Sequence, residues 1–161
     1  MDWNVYGIGI VVAVVGIYLL DVWANRLNLS HLTSHVPTAL QDVFDPEAYA
    51  KSQAYTRAQT QFGMVSDTYS LLVLLGFWWS GGFGWLDGIV HDASNSSLVR
   101  GLLFVGLLFL GTTLLQLPLS WYHTFVLEQR FQFNRTSPRT FVLDRVKELL
   151  LTVLLMAPLL L

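Results

Sequence analysis

The long uncharged stretches of the chain constrain its fold more than any other feature. Trp3 to Leu20 is a run of 18 residues without a charge, and a helix of that length rises about 27 Å, close to the thickness of the hydrocarbon core of a bilayer. Over the whole chain 53% of the residues are hydrophobic and only 12% are charged, which is more apolar surface than a soluble domain of this size needs. The sequence therefore predicts an all-α, polytopic helical membrane protein. Its first expected partner is the lipid bilayer that surrounds the helices.

Four apolar runs predict four membrane spans. Their expected limits are about 3–23, 64–86, 101–120 and 146–161. The three glycines of the sequence SGGFGW should stop the second helix near the interface. Pro118 should end or kink the third helix. The fourth run is free of charge only from Leu149 onwards, so we expect this span to be truncated in mid-helix.

Basic residues predict the orientation, because loops rich in Lys and Arg stay in the cytoplasm. Eight of the nine Lys and Arg residues lie between the first and second runs or between the third and fourth, and the ninth is Arg100. We therefore expect an N-terminus outside and two cytoplasmic loops, at 24–63 and 121–145. We favour a bacterial inner membrane, with the endoplasmic reticulum membrane as the alternative for a eukaryotic source.

Charge and cysteine content exclude several function classes. The net charge is −2 and no basic patch is present, so nothing would neutralise the phosphates of a nucleic acid. The chain has no cysteine, which rules out a disulfide framework, a thiolate zinc site and a thiol nucleophile.

The first cytoplasmic loop contains a predicted amphipathic helix in the sequence FDPEAYAKSQAYTRAQTQFG, residues 44–63. Asp45 is predicted to be its N-cap, and Pro46 is predicted to be its first residue. Tyr49 and Arg57 then share one face, eight residues apart. Two interpretations stay open: the helix packs against the membrane or its neighbours, or it docks onto another cytoplasmic domain.

The second cytoplasmic loop is crowded with aromatic and basic side chains. We expect Phe131, Phe133 and Asn134 to form a compact aromatic turn, which makes this loop an elbow between two spans. Ser137 is then predicted to be the N-cap of a new helix, and Pro138 is predicted to be its first residue.

The two loops together resemble the signature blocks of the type 1 CAAX prenyl protease family. The earlier block has the tyrosine, the lysine-serine pair and the arginine in matching order, and the later block, LPLSWYHTFVLEQRFQFN, is followed by TF at 140–141. The resemblance covers nearly the whole chain, and one departure is Gln132, where the family usually has glycine. The residues that it marks as candidates for domain docking are Tyr49, Lys51, Ser52, Tyr55, Arg57, Tyr122, Glu128, Arg130, Phe131, Phe133, Asn134 and Asp144.

The resemblance implies an integral-membrane zinc metalloprotease whose spans enclose a chamber and which removes the last three residues of prenylated CAAX proteins. Residues 1–161 would form its N-terminal membrane domain, which builds the chamber and supports the catalytic domain of the same protein. The substrate would be a protein or peptide. The alternative is a free-standing, non-enzymatic scaffold or partner-binding module derived from that domain. A haem or quinone subunit is disfavoured, because none of the four histidines lies deep within a span.

The catalytic motif of such a protease is not found in this sequence. Zinc peptidases of this kind use H-E-x-x-H on a helix, where two histidines bind the metal and the glutamate activates water. His31 and His35 have the right spacing, but Leu32 stands where the glutamate belongs. We interpret them as a chance pair and assign no catalytic residue, no metal ligand and no cofactor to this chain. Zinc is expected in the catalytic domain, beyond these residues.

Two polar residues in the apolar runs need an interpretation, because intramembrane polar groups are often functional. We place Asp67 at the hydrated interface. Gln116 either lies near a hydrated helix end or lines a water-filled cavity, and the sequence leaves both readings open.

Overall fold

The structure is a computed structural model that describes residues 5–33, 35–36 and 45–159, apart from the side chains at 153 and 156–159. The predictions that fall on Trp3, on 37–44 and on 160–161 lie outside the described residues. The elements are α1 (Val5–His31), α2 (Pro46–Trp79), α3 (Gly82–Ala93), α4 (Ser97–Tyr122), a π-helical segment (His123–Glu128) and α5 (Pro138–Leu159). No β-strand occurs among the described residues, and the predicted all-α class is confirmed.

Two helical stretches are long and apolar enough to cross a membrane, α1 and the continuous stretch Ser97–Glu128. α2 and α3, which are bent by 65° relative to each other, also meet these criteria of length and composition when they are taken together. They therefore allow a third span. Within the described residues α5 does not qualify, because the charges in its first turns leave only a short apolar remainder. The structure thus supports a helical membrane protein, but the number of spans differs from the predicted four.

The helices are longer than the sequence indicated. α1 has 27 residues and continues to His31, past the predicted end near 23. α2 has 34 residues and joins the predicted amphipathic helix to the predicted second span without a break, a length of about 51 Å. Backbone hydrogen bonds do not depend on whether the side chains are polar, so a helix continues through the interface unless a residue stops it. Much of the predicted loop at 24–63 is therefore helical.

The second predicted loop is also mostly helical. α4 contains Pro118 in its interior and continues to Tyr122, so of the two predicted effects of this proline, a helix end or a kink, the helix end is wrong. The π-helical segment follows directly, and only 131–137 separate its continuation from α5. Proline is tolerated in membrane helices because neighbouring groups can satisfy the carbonyl that it leaves unpaired.

Glycine ends α2, as the sequence predicted. Gly81 has φ 76° and ψ 19°, the left-handed conformation that glycine adopts without steric cost at the end of a helix. The Phe83 ring then packs edge-on against Phe77, with 4.9 Å between the ring centroids. A side chain on Gly82 would collide with the Phe77 ring, so the break between α2 and α3 depends on both glycines.

The chain divides into two compact units. Unit 1 comprises Met1–Leu75 and Leu127–Gln132, and unit 2 comprises Gly76–Val126 and Phe133–Leu161. In unit 2, α3 and α4 pack against each other, as do α4 and α5. Leu86 and Val90 of α3 are almost fully buried.

In unit 1, two polar contacts join α1 to α2 and fix their register. The Tyr18 and Thr68 hydroxyl groups are hydrogen bonded at 2.8 Å. Near the other end of the pair, Arg57 Nη2 donates to the Leu29 carbonyl at 3.5 Å. Leu29 follows Tyr18 by eleven residues and Arg57 precedes Thr68 by eleven, so the two contacts lie on one antiparallel alignment.

Candidate domain-docking site

The first predicted block forms the start of α2. The Asp45 carboxylate accepts the N–H of Glu47 at Oδ1 and the N–H of Ala48 at Oδ2, both at 3.3 Å. Pro46 is the first helical residue. These contacts confirm the predicted cap, in which a carboxylate satisfies N–H groups that have no partner within the helix.

The five candidate residues of this block lie on the polar N-terminal part of α2. Lys51, Ser52 and Arg57 are exposed, whereas Tyr49 and Tyr55 are half-buried. The helix thus combines a charged, solvent-facing surface with tyrosines that pack against protein.

Arg57 holds the end of α1. Its Nη2 donates to the Leu32 carbonyl at 3.2 Å, in addition to the longer contact with Leu29. The last carbonyls of a helix have no partner within the helix and carry a partial negative charge, so a guanidinium is well suited to this position. This role could not be predicted from the sequence, because Arg57 and Leu32 are 25 residues apart.

An aromatic contact brings the first block to the second. The rings of Tyr55 on α2 and Phe131 pack edge to face, with centroids 5.3 Å apart and planes at 70°. Both rings are half-buried. The two residues are far apart in sequence, and their contact joins the first block to residues 127–132, the part of the second block that belongs to unit 1.

Phe131 belongs to a tight turn. Gln132 has φ 63°, a left-handed conformation that is unfavourable for most side chains, and its N–H donates to the Gln129 carbonyl at 3.1 Å. The guanidinium of Arg130 lies 6.0 Å from the centre of the Phe131 ring, at the outer limit of a cation–π contact. A glycine would adopt this conformation at no steric cost, which explains why glycine fits the position of Gln132.

In unit 2, the second block continues into the start of α5. The Asn134 side-chain oxygen accepts the N–H of Thr136 at 2.7 Å, which forms a local Asx turn. The Ser137 hydroxyl accepts the N–H of Thr140 at 3.1 Å, and α5 begins at Pro138. The predicted N-cap of this helix is therefore confirmed.

Unit 2 contains an aromatic cluster that was not predicted from the sequence. The Trp121 and Phe125 rings lie 4.3 Å apart, and both contact Phe141 of α5 at 5.6 Å. Phe141 is buried, and the Arg145 guanidinium lies 5.4 Å from the centre of its ring. The spacing of four residues between Trp121 and Phe125 is a helical signal, but nothing local identifies Phe141 as their partner.

The remaining candidates occupy separate positions. Tyr122 ends α4 and Glu128 ends the π-helical segment, and Phe133 is 49% exposed. Asp144 lies on α5 with the Lys147 ammonium 3.6 Å from its carboxylate. This exposed pair contributes little to stability.

The described residues hold no group of three or more His, Cys, Asp or Glu side chains arranged to bind a metal ion. His31 is the last residue of α1 and His35 lies beyond the helix. The arrangement on a single helix that H-E-x-x-H requires is thus not formed by this pair.

Comparison with known proteins identifies the family. Residues 25–161 match the model of the CAAX prenyl protease N-terminal region, which is described as five membrane helices. The chain is 30% identical over 157 residues to the "Probable CAAX prenyl protease 1" of Schizosaccharomyces pombe, covering 89% of the chain and 33% of that protein. It is 33% identical over 135 residues to "CAAX prenyl protease 1" of Saccharomyces cerevisiae, covering 78% and 30%.

A solved structure agrees with these sequence matches. The fold superimposes on the crystal structure of S. mikatae Ste24p with a TM-score of 0.86 and 30% identity, over 99% of this chain and 39% of that one. The chain spans about a third of the length of the curated relatives it matches. By sequence and by structure, this chain belongs to the CAAX prenyl protease family and corresponds to its N-terminal membrane-helix domain.

Proposed function

We propose that this chain is the membrane support domain of a zinc metalloendopeptidase that cleaves C-terminal CAAX-type or other membrane-associated protein substrates. The polar start of α2 and the turn at 130–132 would form the surface on which the catalytic region rests. The Tyr55–Phe131 contact carries this proposal, because it unites two blocks that resemble the family signature in one surface.

The energetics favour the aromatic residues of this surface over its charges. Burying a phenylalanine side chain contributes roughly 1.5–3 kcal/mol. Arg130 is exposed, and an exposed charge contributes at most about 1 kcal/mol through an ion pair. A catalytic region that rests here would depend on Phe131 more than on Arg130.

The orientation and the membrane are part of the proposal. The basic residues of 24–63 and 121–145 support a cytoplasmic position for both segments, with the N-terminus outside. The relatives named above are fungal proteins, which supports the endoplasmic reticulum alternative over the bacterial inner membrane.

The test is an activity comparison in the complete protein, purified into liposomes and given a prenylated CAAX peptide. Phe131→Ala and Phe133→Ala should each lower the rate of cleavage about tenfold, the equivalent of 1.4 kcal/mol. Arg130→Ala should lower it less, and all three variants should insert into the membrane normally. Near-complete activity in the two phenylalanine variants would show that the turn is only a connector. A complete protein that cleaves no peptide would instead support the non-enzymatic scaffold.

A further inference from the structure

Two arginines beside the N-cap of α5 carry charge that the described residues do not neutralise. Arg135 lies two residues before the cap and Arg139 two residues after it, and both side chains are exposed. Among the residues that the structure describes, neither guanidinium has an ion pair or a hydrogen bond. This end of α5 therefore presents two positive charges that are free to bind an anion.

The acidic residues of α5 are neutralised by other side chains. Glu148 Oε2 binds Arg145 Nη1 at 2.6 Å. The Asp144 carboxylate lies 3.6 Å from the Lys147 ammonium. Glu148 also follows Arg139 by nine residues, which places it about 180° round the helix. The negative charges of α5 thus have partners of their own, and they leave the face of Arg139 positive.

Arg139 lies at the start of an exposed apolar stripe on α5. Val142, Val146 and Leu150 follow it at intervals of three and four residues, so the four side chains share one side of the helix. The three apolar side chains are 54%, 47% and 65% exposed. No charged residue occurs from Leu149 to the end of the sequence. In a helical membrane protein, such a stripe is suited to contact with lipid acyl chains.

The depth of Arg139 in the bilayer follows from its neighbour α4. Trp121 follows Arg100, the last charge before it, by 21 residues, which is a rise of about 32 Å and close to the hydrocarbon thickness. Trp121 is 44% exposed, and tryptophan is enriched at membrane interfaces. The Phe141 ring lies 5.6 Å from the Trp121 ring. Arg139 precedes Phe141 by two residues, so it lies at the level of the lipid headgroups.

We infer that Arg135 and Arg139 bind the phosphate group of an anionic phospholipid in the cytoplasmic leaflet, with its acyl chains along the apolar stripe. A guanidinium binds phosphate through two parallel N–H groups, and the cytoplasmic leaflet is the one that carries anionic lipids. The positive charge and the stripe adjoin at the headgroup level, which fits a phospholipid better than free phosphate. The inference takes from the proposed function only the cytoplasmic position of this segment.

The test measures lipid binding by native mass spectrometry, with the complete protein in detergent titrated with phosphatidylserine or phosphatidylcholine. The Kd of the first bound lipid should be about tenfold lower for phosphatidylserine. Arg135→Gln and Arg139→Gln should each raise that Kd about fivefold, the equivalent of about 1 kcal/mol for a basic side chain at an anionic surface. Lys147→Gln is the matched control on the same helix, because this lysine is exposed and lies beside Asp144, and it should change the Kd less than about twofold.

Equal Kd values for the two lipids would overturn the inference. A loss of affinity in Lys147→Gln as large as that in Arg139→Gln would also overturn it, because net charge alone would then explain the binding. Inorganic phosphate is the second probe, and at equal concentration it should not displace phosphatidylserine. Displacement would show that the apolar stripe contributes nothing and that the site is not a lipid site. These readouts do not use peptidase activity, so their failure would leave the proposed function intact.

Discussion

The contact between Tyr55 and Phe131 should make a measurable contribution to the stability of unit 1. With 5.3 Å between centroids and 70° between planes, the pair has the edge-to-face geometry that contributes about 0.5–1.5 kcal/mol beyond the area it buries. Replacing each ring with leucine removes the ring–ring interaction and keeps most of the apolar volume. A double-mutant cycle of Tyr55→Leu and Phe131→Leu then isolates the coupling free energy.

The assay is the free energy of unfolding in mixed micelles, from titration with a denaturing detergent. We expect a coupling of about 0.5–1.5 kcal/mol. The control cycle pairs Phe131→Leu with Tyr6→Leu, because Tyr6 is 81% exposed, and it should be additive within about 0.5 kcal/mol. A Tyr55–Phe131 coupling no larger than that of the control would refute the idea that this contact joins the two blocks.

Three further predictions concern the turn, the register of α1 and α2, and the topology. Gln132→Gly should raise the free energy of unfolding by about 0.5–1 kcal/mol, because relief of the left-handed strain exceeds the added entropy of the unfolded chain; a loss of stability would contradict the turn geometry. Tyr18→Phe should lower the free energy of unfolding by about 0.6 kcal/mol, the typical value for a hydrogen bond between membrane helices, and an unchanged value would show that the bond to Thr68 contributes nothing. In sealed microsomes, whose outer face is the cytoplasmic one, Ser52→Cys should react with an impermeant thiol reagent and Ser96→Cys should be protected, and the opposite pattern would invert the topology.

Local signals in the sequence predicted the helix boundaries that depend on one or two residues. Asp45 and Ser137 cap their helices, and Gly81 ends α2, because each acts on backbone groups within a few residues of itself. The all-α membrane class was predicted from the apolar runs, because the length and the composition of a run are also local properties of the sequence.

Other features needed the structure. α2 continues from Pro46 to Trp79 because a change from polar to apolar side chains does not interrupt a helix, so the predicted loop and span were one element. α4 accommodates Pro118 in its interior, and nothing local distinguishes this from a helix end.

The contacts that form the candidate site also could not be predicted from the sequence. Tyr55 and Phe131 are brought together by the fold, and Arg57 binds carbonyls of a different helix. Periodicity places a residue on a helix face but does not identify what that face contacts. The resemblance to the family pointed to both blocks, but the contact between Tyr55 and Phe131 is known only from the structure.

In the function proposed above, this membrane domain serves a zinc-dependent peptidase. The most direct measurement is cleavage of a prenylated CAAX peptide by the complete protein in liposomes, before and after treatment with a chelator and again after zinc is restored. We predict that the complete protein removes the C-terminal residues, loses activity with the chelator and regains it with zinc, whereas purified residues 1–161 bind no stoichiometric zinc and cleave nothing. Chelator-sensitive cleavage by residues 1–161 alone, or a complete protein that binds no zinc and cleaves no peptide, would contradict the account.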